Sequence, residues 1–314
     1  MEYVLQTDNL TKCYKNIPAL DGLTMHIPKG AIYGFVGRNG AGKTTLIRLI
    51  CGLQEPSSGS FSLFGIRNDS KDIVNSRRKI GAIVETPAIY MDMTAEENLR
   101  QQYRILGISS YVSIPEILKL VGLENTGKKK VRQFSLGMKQ RLGIAIALSG
   151  DPRLLILDEP TNGLDPQGIV EMRDMILKLN RKREITVLIS SHILDELSRL
   201  ATHYGIIDHG QMVKELSAQE LNAACRKCVR VEVSDTSVLA RVLDAMGVEY
   251  QIISDTTADV FASVNVTQLT LALAKEKCEV LSMQERDESL ENYFLSLTGV
   301  LTLQASSTKC STRP

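Results

Sequence analysis

Gly37-Arg38-Asn39-Gly40-Ala41-Gly42-Lys43-Thr44-Thr45 is the most informative stretch of this chain. Its spacing is G-x-x-x-x-G-K-[ST], a phosphate-binding loop when a strand precedes it and a helix follows. Both flanks are present. Ala31 to Val36 is a short apolar run bounded by Gly30 and Gly37, which predicts a buried strand. Leu46, Ile47, Leu49 and Ile50 continue at helical spacing until Gly52. Glycines let the backbone wrap with its N–H groups turned toward phosphate oxygens. The helix adds unpaired N–H groups and the positive end of its dipole. Lys43 supplies a point charge for the β- and γ-phosphates, and Thr44 a hydroxyl suited to Mg²⁺. A plain flexible turn has no need of strand, loop and helix in this register. The expectation is a nucleotide grip formed by Gly37 through Thr45.

The 314 residues suffice for one large or two ordinary domains with a well-buried core. With 43% hydrophobic and 23% charged residues, the composition is that of a soluble globular protein. A formal net charge of +1 speaks against a general nucleic-acid binder, so no nucleic-acid partner is expected. Lys128-Lys129-Lys130 with Arg132 is the obvious local basic run, a pattern that is more often a solvated loop. Met1-Glu2-Tyr3 opens neither a signal nor a transit pattern, and no apolar run approaches the roughly 20 residues that span a bilayer. Six scattered cysteines form no framework and fit a reducing cytosol. Cys225-Arg226-Lys227-Cys228 is a lone C-x-x-C and reads as two ordinary thiols.

Residues 1–30 alternate apolar and polar in short stretches separated by turns at Lys15-Asn16 and Pro28-Lys29-Gly30, which predicts an antiparallel β edge. Gly59 to Gly65 predicts another such strand, and Ile80 to Val84 a strand of the main sheet. Between 94 and 150 the pattern turns helical. Thr94-Ala95-Glu96-Glu97 spells a capping box, and Gly137 to Leu148 predicts a helix with Met138, Leu142, Ala145 and Ile146 on one side. Arg153 to Leu157 is an apolar strand, Asp165-Pro166 opens a helix reaching about Arg183, and Ile185 to Ile189 is the next strand. Ile193 to Leu200 predicts a helix, and Tyr204 to Leu216 a closing hairpin. The alternation argues for an α/β P-loop NTPase core with an antiparallel β subdomain and an inserted α-helical subdomain. After 217 the order strand, helix, two short strands, helix, strand, then a helix from about Leu290, predicts a small C-terminal α+β domain. The expected division is 1–216 with its helical insert at about 94–150, an accessory domain at 217–303, and a Ser/Thr-rich disordered tail at 304–314.

Chemistry gathers where predicted strands end. Asp158 and Glu159 close an apolar strand downstream of the phosphate loop. An acid in that place holds Mg²⁺, directly or through water, and the second acid can take a proton from attacking water. His192 follows the next apolar strand, on the sheet edge where ligands of open α/β sheets bind. A histidine there can donate to the γ-phosphate or orient the water.

Phe134-Ser135-Leu136-Gly137-Met138-Lys139-Gln140-Arg141 completes the set. Taken with the phosphate loop and Asp158-Glu159, it resembles the signature motif of ATP-binding cassette (ABC) transporter subunits, over roughly residues 1–216. The resemblance implies an ATPase using ATP and Mg²⁺, with Thr44, Glu85 and Asp158 at the metal, Glu159 and His192 catalytic, and Tyr14 stacked on adenine. It further implies that Ser135, Leu136, Gly137 and Met138 cap ATP held by a second subunit, which gives an ATP-dependent homodimer or a heterodimer with a related ATPase. A hydroxyl and the N–H groups at a helix start suit a phosphate. Asn162-Gly163-Leu164-Asp165 is then the loop crossing between subunits, and a membrane permease is the partner that keeps the chain cytoplasmic but peripheral on the inner membrane face.

Two departures narrow the resemblance. Leu136 and Met138 stand where Gly and Gln are usual, as in many exporter subunits. Glu85 stands where the family normally has Gln; an acid keeps an oxygen for Mg²⁺ but adds charge near the phosphates. That acid, and the terminal run Asp287 to Phe294, resemble the bacitracin-type and lantibiotic-immunity exporters. The implied function is ATP-driven export of antimicrobial peptides for resistance or self-immunity, with export of a drug, lipid or polysaccharide as the alternative. A cassette acting on ribosomes or DNA is disfavoured by the single phosphate loop and the lack of a heptad run, and a GTPase by the lack of N-K-x-D.

Overall fold

In the computed structural model, which describes residues 2–225, 228–261, 266–286 and 290–298, two long strands come first, β1 (Tyr3–Tyr14) and β2 (Ile17–Pro28). They pair antiparallel about a turn at which Lys15 takes a φ of 57°. Leu5, Leu10, Leu20, Leu23, Met25 and Ile27 all enter the core, the period of two being reset by register shifts between Thr7 and Lys12. β3 (Ile32–Val36) then leads into the phosphate loop and α1 (Lys43–Ile50). β4 (Ser58–Leu63) and β5 (Ile66–Arg67) return to the first sheet, whose order is β2-β1-β4-β5.

A second sheet carries the chemistry. After α2 (Ile73–Arg77) come β6 (Ile80–Ile83) and, beyond the helical insert, β7 (Leu154–Asp158), β8 (Thr186–Ser191), β9 (His203–Asp208) and β10 (Gln211–Ser217). The strand order is β10-β9-β3-β8-β7-β6, parallel except for β10, which returns through a His209-Gly210 turn with both φ angles positive. β3, β7 and β8 are buried throughout, as continuous apolar strands covered on both faces should be. The register sets Asp158 opposite Ser190, Ser190 opposite Phe35, and Ser191 opposite Val36. The phosphate loop, Asp158-Glu159 and His192 therefore leave the sheet along one edge.

The insert holds α3 (Ala95–Ile105), α4 (Ile114–Leu120), a 3₁₀ turn at Val131–Gln133 and α5 (Leu136–Leu148). Both halves of the capping box form: Glu97 N–H donates to Thr94 Oγ1 at 3.1 Å, and Thr94 N–H to Glu97 Oε2 at 2.6 Å. The basic run is tied to acids, Lys130 to Glu97 and Arg132 to Asp92, both at 3.1 Å. α5 departs from the one-sided expectation: Gln140 and Leu142 through Ala145 are all buried, whereas Met138 and Ile146 are half-buried. The cause is enclosure, since β6, α3, α4 and α6 (Pro166–Arg183) all pack on this helix and a helix covered on several sides is apolar around its circumference. α7 (Leu194–Ser198) is shorter than expected at both ends: Ile193 is extended, at φ −112° and ψ 105°, and Arg199 leaves the helical region at φ −90° and ψ 0°.

A half-buried polar knot joins the first two sheets. Tyr33 Oη donates to Glu215 Oε1 at 2.6 Å, and the same oxygen accepts His26 N–H at 2.8 Å. Burial, followed by the Glu215 charge, pushes the Tyr33 phenol well above its ordinary value.

Contacts divide the chain into Met1–Ala218 and Gln219–Pro314, two residues beyond the expected boundary because β10 runs to Ser217. Past α8 (Ala218–Ala224), the second unit follows β11 (Cys228–Val233), α9 (Thr236–Ala245), β12 (Tyr250–Ile252), β13 (Thr257–Val260), α10 (Val266–Lys275), β14 (Val280–Arg286) and α11 (Leu290–Leu297). The sheet order β12-β13-β11-β14 is wholly antiparallel, around a core that includes Val231, Leu239, Leu243, Val260 and Leu273. The tail at 304–314, the acids Asp287 and Glu288 and the centre of the C-x-x-C lie outside the described residues.

Candidate functional site

Two glycines of the phosphate loop are required by close approach. A Cβ on Gly42, whose φ is 110°, would lie 2.5 Å from Ala19 O, and one on Gly37 would lie 2.6 Å from Ile207 O. β2 and the end of β9 thus close directly on the loop backbone. Gly42 offers α1 no side-chain cap, so first-turn N–H groups are left for an anion. Lys43 is 6% exposed; its Nζ donates to Gly37 O at 2.6 Å and to Arg38 O at 3.3 Å, and stands 3.2 Å from Glu159 Oε1. An open cleft of about 220 Å³ is lined by Ala19, Glu159 and the loop residues Asn39, Gly40 and Gly42 to Thr45.

Behind Lys43 lie the acids. Asp158, 4% exposed, accepts Thr44 Oγ1–H at Oδ2, 2.8 Å away, and Ser190 Oγ–H at Oδ1. Glu159 turns out of the strand with a left-handed φ of 49°. Its N–H donates to Ser190 Oγ at 3.0 Å and to Ser190 O at 3.2 Å. Its carboxylate joins Lys43 through Oε1 and His192 Nδ1, at 2.8 Å, through Oε2. A carboxylate only accepts, so Nδ1 carries the proton in that bond. Ser190 was not among the residues expected at the site; its signal is a polar residue directly after the apolar run Val187 to Ile189, still inside the buried strand.

The donor set fits Mg²⁺. Thr44 and Asp158 offer hard oxygens, and among the described residues no group of three or more His, Cys, Asp or Glu side chains could hold a metal alone. Mg²⁺ commonly uses one or two protein ligands and completes its shell with phosphate and water.

Other expected residues lie apart from this cluster. Glu85, 57% exposed and at φ 62°, is hydrogen-bonded to Arg48 of α1, and not to Thr44 or Asp158. Tyr14 is 41% exposed at the end of β1; its hydroxyl donates to Gln54, and Lys12 Nζ lies 5.6 Å from its ring centroid. Ser135 caps α5 by accepting Met138 N–H at 3.3 Å. Leu136 is exposed, and a Cβ on Gly163 would meet its Cδ2 at 3.1 Å, so the signature and the expected crossing loop adjoin. Asp165 caps α6 through Gly168 N–H at 3.0 Å. None of residues 135–138, nor Asp165, lines the cleft at the phosphate loop.

Residues 20–162 match the family model described as ABC transporter. The chain is 42% identical over 302 residues to the bacitracin transport ATP-binding protein BcrA of Bacillus licheniformis, covering 95% of this chain and 98% of that protein. This chain belongs to the ABC transporter ATP-binding family. It is accordingly a nucleotide-binding ATPase of the kind that powers transport. The lantibiotic transport ATP-binding protein SrtF of Streptococcus pyogenes is 45% identical to this cassette over 212 residues, covering 68% of this chain and 90% of SrtF. Among solved structures, a dimer of the ATP-binding cassette MJ0796 in a post-hydrolysis state, bound to ADP and Pi, superposes with a TM-score of 0.61 at 26% identity, covering 68% of this chain and 98% of that one. No described helix is long and apolar enough to cross a membrane.

Proposed function

We propose that this cassette hydrolyses ATP as half of a dimer seated on a separate membrane permease, on the cytoplasmic face, and that the permease exports antimicrobial peptides of the bacitracin or lantibiotic class. The observation that carries the cargo is reach: likeness to the bacitracin transport protein extends through the second unit, far beyond the family model's last matched residue, 162.

The phosphates of ATP lie along Gly37 to Thr45, and the loop N–H groups with the uncapped start of α1 donate to them. Lys43 exchanges its carbonyl contacts for β- and γ-oxygens, and Tyr14 supplies a face for adenine. Thr44 and Asp158 would hold Mg²⁺, with Glu85 as a further oxygen once released from Arg48, and the bound ion would supply neutralisation of phosphate charge. Water attacks the γ-phosphorus, the bond to the β–γ bridging oxygen breaks, and the water proton passes to Glu159. His192 orients that carboxylate through Nδ1. Ser135 and the N–H groups from Leu136 to Met138 of a second copy close over the γ-phosphate, and Asp165 lies on the path between the sites. Support for two copies comes from the cleft, which this chain's own signature does not line.

Glu159→Gln tests the chemistry: ATP binding and ATP-dependent dimerisation are retained while turnover is lost. Hydrolysis at the wild-type rate overturns the assignment of the base. For the cargo, co-expression with the permease raises the inhibitory concentration of bacitracin or a lantibiotic in a sensitive bacterium, and the Glu159→Gln chain does not. Equal sensitivity in both strains removes the peptide reading.

A further inference from the structure

We propose that Ser190 is a positioning residue for hydrolysis, setting the Asp158 carboxylate and the Glu159 backbone with one hydroxyl. The inference rests on the roles given above to Asp158 and Glu159.

Ser190 is wholly buried, between Asp158 of β7 and Phe35 of β3 in the sheet register. A hydroxyl in that place costs folding energy unless it is paired. Both of its neighbours are known, and their chemistry sets the direction of each bond. A backbone N–H can only donate, so Ser190 Oγ accepts from Glu159 N–H at 3.0 Å. Its single proton is thereby left for Asp158 Oδ1, the oxygen that Thr44 does not use. Each oxygen of the Asp158 carboxylate then has its own hydroxyl donor, and the carboxylate plane is held from the loop on one side and from β8 on the other.

The second half of the device is the bend at Glu159. A left-handed φ of 49° is disfavoured for a residue with a Cβ and persists where surrounding bonds over-determine it. Here Glu159 N–H is shared between the Oγ and the carbonyl of Ser190. That bend carries the Glu159 side chain off the strand direction and onto Lys43 and His192. Valine or alanine in place of Ser190 would keep the strand, but would leave Asp158 Oδ1 without its hydroxyl donor and the Glu159 N–H with the residue-190 carbonyl alone. Ser190 touches neither substrate nor metal in this scheme; it acts through its two neighbours.

Ser190→Ala and Ser190→Cys in the full chain test the idea, because cysteine restores volume but is only a weak donor. Both variants are expected to lower kcat by about 10- to 100-fold, the span of a hydrogen bond to a charged group, with KM for ATP changed less than about twofold. A second reading is independent of turnover: the Mg²⁺ concentration giving half-maximal thermal stabilisation by ATP rises by about tenfold, while stabilisation by ATP without Mg²⁺ is unchanged. Wild-type kcat in Ser190→Ala, or recovery by Ser190→Cys, assigns the serine to packing and overturns the proposal. An equal loss of Mg²⁺-free ATP binding does the same, since the defect is then in folding. Glu159→Gln is run alongside. If it hydrolyses normally, the base assignment fails; if it is inactive and Ser190→Ala is not, only the role of Ser190 fails.

Discussion

The cassette carries two phosphate-facing regions of opposite build. At the loop, Lys43 and Asp158 are buried and bound to partners from the loop itself, α1, β8 and the residue that follows β7; at the signature, Ser135 and Leu136 are exposed and held by a single helix cap. The charges of the loop end are mutually satisfied before nucleotide arrives. The signature end presents a hydroxyl and free helix N–H groups outward, a surface that suits a ligand brought by another molecule. The difference suits the proposed division of labour, in which one end holds ATP and the other completes a site elsewhere.

The largest test of that contrast is Glu159→Gln, expected to lower turnover by about 10²- to 10⁴-fold in a steady-state phosphate-release assay while Kd for ATP is held. Next is Gly42→Ala, whose Cβ meets Ala19 O at 2.5 Å. It is expected to lower stability by about 1–3 kcal/mol in urea melts and to abolish ATP binding, a loss that no change at the signature should reproduce. Ser135→Ala is expected to leave ATP binding intact and slow turnover about tenfold, one lost phosphate contact. Mixing it with Lys43→Ala chains should restore about a quarter of wild-type activity, since half the dimers then own one intact composite site. A mixture that stays inactive breaks the contrast.

Smaller effects probe the supports of each end. Thr94→Ala removes the cap of α3 in the insert and is expected to cost about 1 kcal/mol by thermal melting. The Glu97 carboxyl lies below its usual range, held first by the Thr94 N–H and then by Lys130. A depressed value contributes stability above the ordinary glutamate pKa and loses it as pH falls through the folded one. Melts recorded downward from pH 5 should therefore show a loss that Glu97→Gln, which removes the titrating carboxyl, flattens. Last, Arg48→Met frees Glu85 on the loop side; the pair is half-exposed, so turnover should move less than about fivefold, and Glu85→Gln in the same chain should cancel the change.

Much of the fold is legible because it is written in short spacings. The phosphate loop, the Thr94–Glu97 box and the Asp165-Pro166 helix start each span a few residues, and local hydrogen bonds decide them. The three strands buried throughout, β3, β7 and β8, are legible too, because burial on both faces makes each a continuous apolar run. α5 misled because its burial depends on four neighbours that its own periodicity does not register.

What the chain order alone determines is which groups are candidates to act on a nucleotide, and that they sit at strand ends: glycines, Lys43, Thr44, Asp158, Glu159 and His192 are identified by type and spacing. Which of them touch was decided by register between strands far apart in the chain. Ser190 meets Asp158 across 32 positions, Arg48 draws Glu85 aside across 37, and Tyr33 reaches Glu215 across 182. Hydrogen-bond partners depend on distances of a few ångströms set by packing, and no local pattern encodes those distances.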